Sequence, residues 1–226
     1  MITCEEIYDL HTTGALESAL CEAYREIPLD SRNSMRKNDT PLHMACAFVD
    51  ENAVRILLER GADVNVRNDD GDTPLCVLAK RKCCGKETTI AGIAGLLVSK
   101  EARVPRSGKN TTALIEAVGN RHFLMADILL MSGCRIDSTN SNGNNVLHVI
   151  CQSAGDIAYD IKRTKERIAD FSERWYSEKD KREAYENMEY LEEADRQCFL
   201  TAKRILENGQ IDTEDKNNIG KAALDI

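Results

Sequence analysis

The chain is poor in the residues that stiffen or staple small domains. Its 226 residues hold four prolines, one tryptophan and 5% aromatics, too little bulk for an aromatic-rich β-sandwich and better suited to small apolar side chains packed between helices. It lacks a run of about eighteen apolar residues, which excludes a helical membrane span. Its start, Met1-Ile2-Thr3-Cys4-Glu5-Glu6, has neither the basic stretch nor the apolar run of a secretion signal. Positive charge is in the minority, 30 Lys and Arg against 38 Asp and Glu for a net −8. That balance disfavours nucleic acid and anionic lipid and points to a protein partner, one with a basic patch. The nine cysteines are odd in number and form no Cys-x-x-Cys pair. They make a poor disulfide or metal framework and read as buried reduced thiols of a cytoplasmic protein.

What the chain does have is internal repetition. Thr40-Pro41-Leu42-His43-Met44-Ala45 returns as Thr73-Pro74-Leu75-Cys76-Val77-Leu78, as Thr112-Ala113-Leu114-Ile115-Glu116-Ala117 and as Asn145-Val146-Leu147-His148-Val149-Ile150, at spacings of 33, 39 and 33 residues. The longer middle spacing implies a six-residue insertion near Cys83 to Ile90. A second signature keeps step with the first: Ile56-Leu57-Leu58-Glu59-Arg60-Gly61-Ala62-Asp63 is echoed by Ile128-Leu129-Leu130-Met131-Ser132-Gly133 and by Ile205-Leu206-Glu207-Asn208-Gly209. Thr40 and Thr73 stand where a helix needs an N-cap, with Pro41 and Pro74 at the first helical position, where a missing N–H costs nothing. Gly61, Gly133 and Gly209 suit a left-handed turn that closes a helix.

These motifs resemble the ankyrin family, from about Arg36 onward. The resemblance implies an all-α solenoid of stacked helix-turn-helix units, in which His43 and His148 are structural groups bonding across neighbouring turns rather than ligands or bases. Residues 1–34 are expected to form an N-terminal capping helical unit and residues 35–226 the repeats, at about 35–67, 68–106, 107–139 and 140–213, with a partial unit at 214–226. That partial unit favours a chain that continues.

The fourth unit departs from the family. Residues 152–199 read as an inserted helical arm. Ile150, Ala154, Ile157, Ile161, Thr164, Ile168, Phe171 and Trp175 step by threes and fours, and Ser177 to Asp180 reads as a break with a capping box. Ala184, Met188, Leu191, Ala194, Cys198, Thr201 and Ile205 lead back at similar spacing. A long helical hairpin of roughly 40 Å results at about 1.5 Å per residue. Lys162, Arg163, Lys165 and Arg167 are expected to face Glu183, Glu186, Glu189, Glu192 and Glu193 across its seam.

Stacks of this family bind partners through turn tips and the exposed side of the inner helices. Carried over, that surface is Arg36, Lys37, Asp39, Phe48, Asp69, Asp70, Asp72, Arg81, Lys109, Asn120, Asn142 and Asn144, with Trp175 on the arm. Phe48 is open between an interface anchor and packing on a neighbouring loop. The acidic tip Asp69-Asp70-Gly71-Asp72 offers too few ligands on too tight a turn for calcium. No catalytic residue, metal or cofactor is expected: His11, His43, His122 and His148 lie in different units, and Cys83-Cys84 beside Lys80, Arg81, Lys82 and Lys86 is only the best reactive-thiol candidate. The expected function is a non-catalytic, monomeric protein-binding module of the cytoplasm. Its alternative is the recognition part of a larger effector or adaptor whose enzymatic activity lies outside this chain, in a host cytosol if it is a secreted effector.

Overall fold

The computed structural model describes residues 2–82, 85–102, 112–134, 136–169, 177–207 and 221. The chain divides into two compact units, Met1–Arg135 and Ile136–Ile226. All regular structure among the described residues is helical apart from a lone antiparallel bridge between Asn33 and Asp39.

The first unit holds α1 (Cys4–Thr13), α2 (Glu17–Glu26), α3 (Pro41–Phe48), α4 (Glu51–Glu59), α5 (Pro74–Ala79), α6 (Glu87–Ser99), α7 (Ala113–Gly119) and α8 (Phe123–Met131). They form two layers. One row runs α1, α3, α5, α7 and the other α2, α4, α6, α8, each helix packing on its neighbours in the row and on its own pair mate. A pair cannot cover its apolar side alone, and the row supplies the cover. Leu57, Leu75, Leu97, Leu114, Phe123 and Leu129 are all fully buried.

Caps set the helix starts. Thr73 Oγ1 accepts from the Cys76 N–H and Thr112 Oγ1 from the Ile115 N–H, both at 3.4 Å, while Pro41 and Pro74 occupy the first turn. Gly61 and Gly133 have φ of 88° and 76°, the left-handed conformation that lets the chain leave α4 and α8. The wide middle spacing is absorbed partly by α6, which has 13 residues against 9 in α4.

The second unit pairs α9 (Val146–Ala169) with α10 (Glu178–Glu207), of 24 and 30 residues. They are antiparallel: Cys198 Sγ lies 3.8 Å from the Ile150 carbonyl, and Asn187 Nδ2 donates to Thr164 Oγ1 at 3.3 Å. Ala184, Met188, Leu191, Ala194, Cys198, Thr201 and Ile205 of α10 are buried. On α9, Ile150, Ile157 and Thr164 are buried and Ala154, Ile161 and Ile168 half-buried. Ser177 and Asp180 exchange cap bonds at the start of α10, Ser177 N–H to Asp180 Oδ2 at 2.9 Å and Asp180 N–H to Ser177 Oγ at 3.2 Å. The Ser177 bonds, with help from the Arg167 charge, hold the Asp180 carboxyl below its ordinary value.

Among the described residues the ion pairs on α10 run along the helix, Lys179 to Glu183, Arg182 to Glu186 and Arg196 to Glu193, while the Arg167 charge of α9 acts on Asp180 of α10. Residues three and four apart on one helix are closer neighbours than solvated side chains flanking a seam. Phe171, Trp175, Cys83, Cys84, Gly209 and the partial unit, except Lys221, lie outside the described residues.

Candidate functional site

The turns that precede α3 and α5 are built by asparagines. Asn33 N–H donates to the Asp39 carbonyl, and the Arg36 and Asn38 N–H groups return to the Asn33 carbonyl. In the next turn Asn68 N–H donates to the Asp72 carbonyl at 3.0 Å, and Asn68 Oδ1 accepts from the Asp72 N–H at 3.0 Å. Asn140 does the same in the second unit, its Oδ1 accepting from the Asn142 and Asn144 N–H groups at 2.9 and 3.0 Å. A short amide folding back on its own turn is the local chemistry that makes such tips. Asn68 and Asn140 both stand five residues before the helix-start position, Thr73 and Asn145, a signal the sequence reading passed over.

The first two tips are tied to each other. Asp69 N–H donates to the Lys37 carbonyl at 2.8 Å, Asn38 Nδ2 to Asp69 Oδ2 at 2.8 Å and Asn68 Nδ2 to Asp39 Oδ1 at 2.8 Å. Lys37 and Asp70 form an ion pair, and Arg32 Nη1 donates to the carbonyls of Asn38 and Arg67 at 3.0 and 2.9 Å. Below them His43 bonds from one turn to the next. Its Nδ1 accepts from the Thr40 N–H at 3.2 Å, so Nε2 carries the proton and donates to the Asp72 carbonyl at 2.9 Å. Burial lowers the His43 imidazole below its ordinary value, with the Asp72 bond pulling the other way. His148 also reaches forward, its Nε2 lying 2.9 Å from the Lys221 carbonyl, but its Nδ1 meets Asn145 Oδ1 at 2.7 Å rather than a backbone N–H.

Each expected contact residue has a definite place. Arg36, Lys37, Asp69, Asp70, Arg81 and Asn142 are exposed, and Asp39, Asn120 and Asn144 are half-buried. The Arg36 guanidinium lies 4.2 Å from the Tyr8 ring centre and bonds its hydroxyl, a contact 28 residues distant that no sequence pattern announces. Asn120 Nδ2 donates to the Ala79 and Glu116 carbonyls, both at 3.0 Å. Asp72 is not on the tip surface. It is 4% exposed, and its carboxylate receives Lys80 Nζ at 2.6 Å, because the residue before a capping threonine turns under the tip. Burial alone would lower the Lys80 ammonium, but the Asp72 bond and charge hold it above the ordinary value. Phe48 is half-buried, stacked on His11 with ring centres 4.0 Å apart and planes 8° from parallel, with Tyr8 at 5.6 Å. Lys109 and Trp175 lie outside the described residues.

Most of the described thiols are enclosed. Cys4, Cys46, Cys76, Cys134 and Cys198 are buried and unpaired by disulfides. Burial raises the Cys4, Cys46, Cys76 and Cys151 thiols and takes Cys134 to about 11, so little thiolate forms at neutral pH. Among the described residues no three His, Cys, Asp or Glu side chains converge as a metal set, and no helix is long and apolar enough to cross a membrane.

The family model described as "Ankyrin repeats (many copies)" matches residues 26–76, the stretch that holds both tied tips, α3, α4 and the start of α5. Residues 26–76 are similar to ankyrin repeats. An ankyrin repeat-containing protein of Schizosaccharomyces pombe is 34% identical over 68 residues, a match covering 27% of this chain and 33% of the relative. The chain thus spans about a third of the length of that curated relative. Ankyrin repeats are in general protein–protein interaction modules, and the family is not typically catalytic.

Proposed function

We propose that the chain is a non-catalytic docking module that holds a protein partner against its ankyrin turn tips. Arg36, Lys37, Asp69 and Asp70 are the contact groups of the first two tips, with Arg81 and Asn120 further along the row, Asn142 and Asn144 on the tip of the second unit, and Lys109, outside the described residues, assigned with them from the sequence. Asp39, Phe48 and Asp72 act from behind, holding the tips in place, and Trp175 is the contact proposed for the arm. The observation that carries this reading is the cross-tying of the two tips through Lys37, Asn38, Asp69 and Asp70. Side chains already ordered in the free protein lose little entropy when a partner arrives.

A charge swap tests it. Lys37→Asp combined with Asp70→Lys keeps an ion pair between the tips but reverses both signs. The swapped chain should melt with the wild type and lose the partner captured from native extract by about tenfold. Undiminished capture by the swapped chain would refute the tip surface.

A further inference from the structure

The α9–α10 pair carries a groove of about 500 Å³ on one side, its lining including Ala154 of α9 and, on α10, Phe199 and Ala202 with the charged Glu192, Asp195 and Arg196. Its floor is apolar. Phe199 is 70% exposed and Leu206, on the same line of the helix, 55%. Residues 185, 192, 199 and 206 of α10 are seven apart, the spacing that keeps one line along a helix.

The equivalent side of α3–α4 shows what fills such a surface. Counted back from the glycines of the repeated Ile-Leu signature, Gly61 and Gly209, Phe199 matches Glu51 and Leu206 matches Leu58. Counted from the histidines, Cys151 matches Cys46. Cys46 and Leu58 are 0% and 8% exposed, α5 and α6 pack on α3 and α4, and Glu51 lies against Gly92 of α6. The shape is one that helices cover. The α10 surface is longer, however. Glu192 and Asp195 continue the groove seven residues, about 10 Å at 1.5 Å per residue, beyond the level where α4 begins. Both carboxylates are exposed and have no cation within ion-pair distance among the described residues, whereas Arg196 is already paired with Glu193.

We propose that this groove seats an amphipathic helix of a partner protein, with its apolar face on Phe199, Ala202 and Ala154 and a basic flank against Glu192 and Asp195. The length of the groove asks for a helix longer than α5, and the unpaired carboxylates ask for Lys or Arg beside the apolar stripe. A second copy of this acidic chain would bring like charge to the same rim. The groove lies on the second unit and the tied tips on the first, and the two proposals stand or fall separately.

The probe is a fluorescent Leu/Lys amphipathic peptide of about 18 residues, with a Leu/Glu peptide of the same pattern as control, titrated by anisotropy against the full chain. The Leu/Lys peptide should bind and the Leu/Glu peptide should not. Phe199→Glu adds negative charge, so simple electrostatic attraction would strengthen basic-peptide binding; the proposal expects at least about tenfold weakening instead, with Phe199→Leu binding like the wild type. Glu192→Lys with Asp195→Lys, both at exposed positions, should reverse the preference to the Leu/Glu peptide. Absence of Leu/Lys binding, binding undiminished by Phe199→Glu, or preference unchanged in the double lysine variant would each overturn the proposal. So would tighter binding in Leu224→Asp, which would assign the groove to the chain's own tail, or a dimer in sedimentation that Phe199→Glu abolishes, which would assign it to a second copy.

Discussion

Phe48 lies between Tyr8 and His11, so its ring adds to the packing of α3 on α1 although one edge meets solvent. Phe48→Ala should therefore cost about 2 kcal/mol in urea unfolding, below the 3–5 kcal/mol of a fully enclosed phenylalanine; an unchanged midpoint would remove the ring from the packing. The sequence showed an aromatic where the family exposes one, but not the two rings 40 and 37 residues upstream that receive it. His43 makes a second prediction at this level. Its imidazole is held neutral, with a folded value lowered first by burial. The unfolded chain, with a histidine near 6.5, takes up the proton first as pH falls. The stability His43 contributes is thus present above about pH 6.5 and lost as pH drops through the folded value, by at most about 1.4 kcal/mol per pH unit. Burial lowers His11 in the same direction. Urea midpoints measured from pH 7.5 down to 5 should fall more steeply for the wild type than for His43→Gln; parallel curves would refute the linkage.

Helix boundaries were the most legible part of the chain, because caps are local chemistry. Thr73 with Pro74, Thr112, and Ser177 with Asp180 each announce a helix start that the structure contains. Ser177→Ala removes the acceptor for the Asp180 N–H and the donor to its carboxylate. The expected loss is about 1 kcal/mol, read as a lower urea midpoint together with weaker helical ellipticity; a variant indistinguishable from the wild type would show the cap to be idle. The α10 periodicity was equally readable, since all seven residues of its spacing are buried. Individual ion pairs were less so: exposed lysines and glutamates choose among several partners within reach, and Arg182 and Arg196 find theirs on the same helix, at Glu186 and Glu193.

For the molecule as a whole, net charge sets the kind of partner it tolerates. A chain at −8 attracts basic surfaces from a distance, and salt screens that attraction. Partner retained by the wild type at 50 mM salt should bind several-fold more weakly at 300 mM, mainly through slower association; retention unaffected by salt would show that charge does not select the partner. The repeat period, the caps and the closing glycines follow from the residues alone, because each depends on a few bonds between chain neighbours and on the need of a helix pair for cover. Which side chains stand at the surface was decided by contacts between distant segments. Arg36 lies on Tyr8 and Lys37 reaches Asp70 across 33 residues, while Asp72 turns under to meet Lys80 within its own unit. The asparagine turns that carry these groups are local, but the partners that hold them are set by how one unit stacks on the next, and a linear pattern does not encode that register.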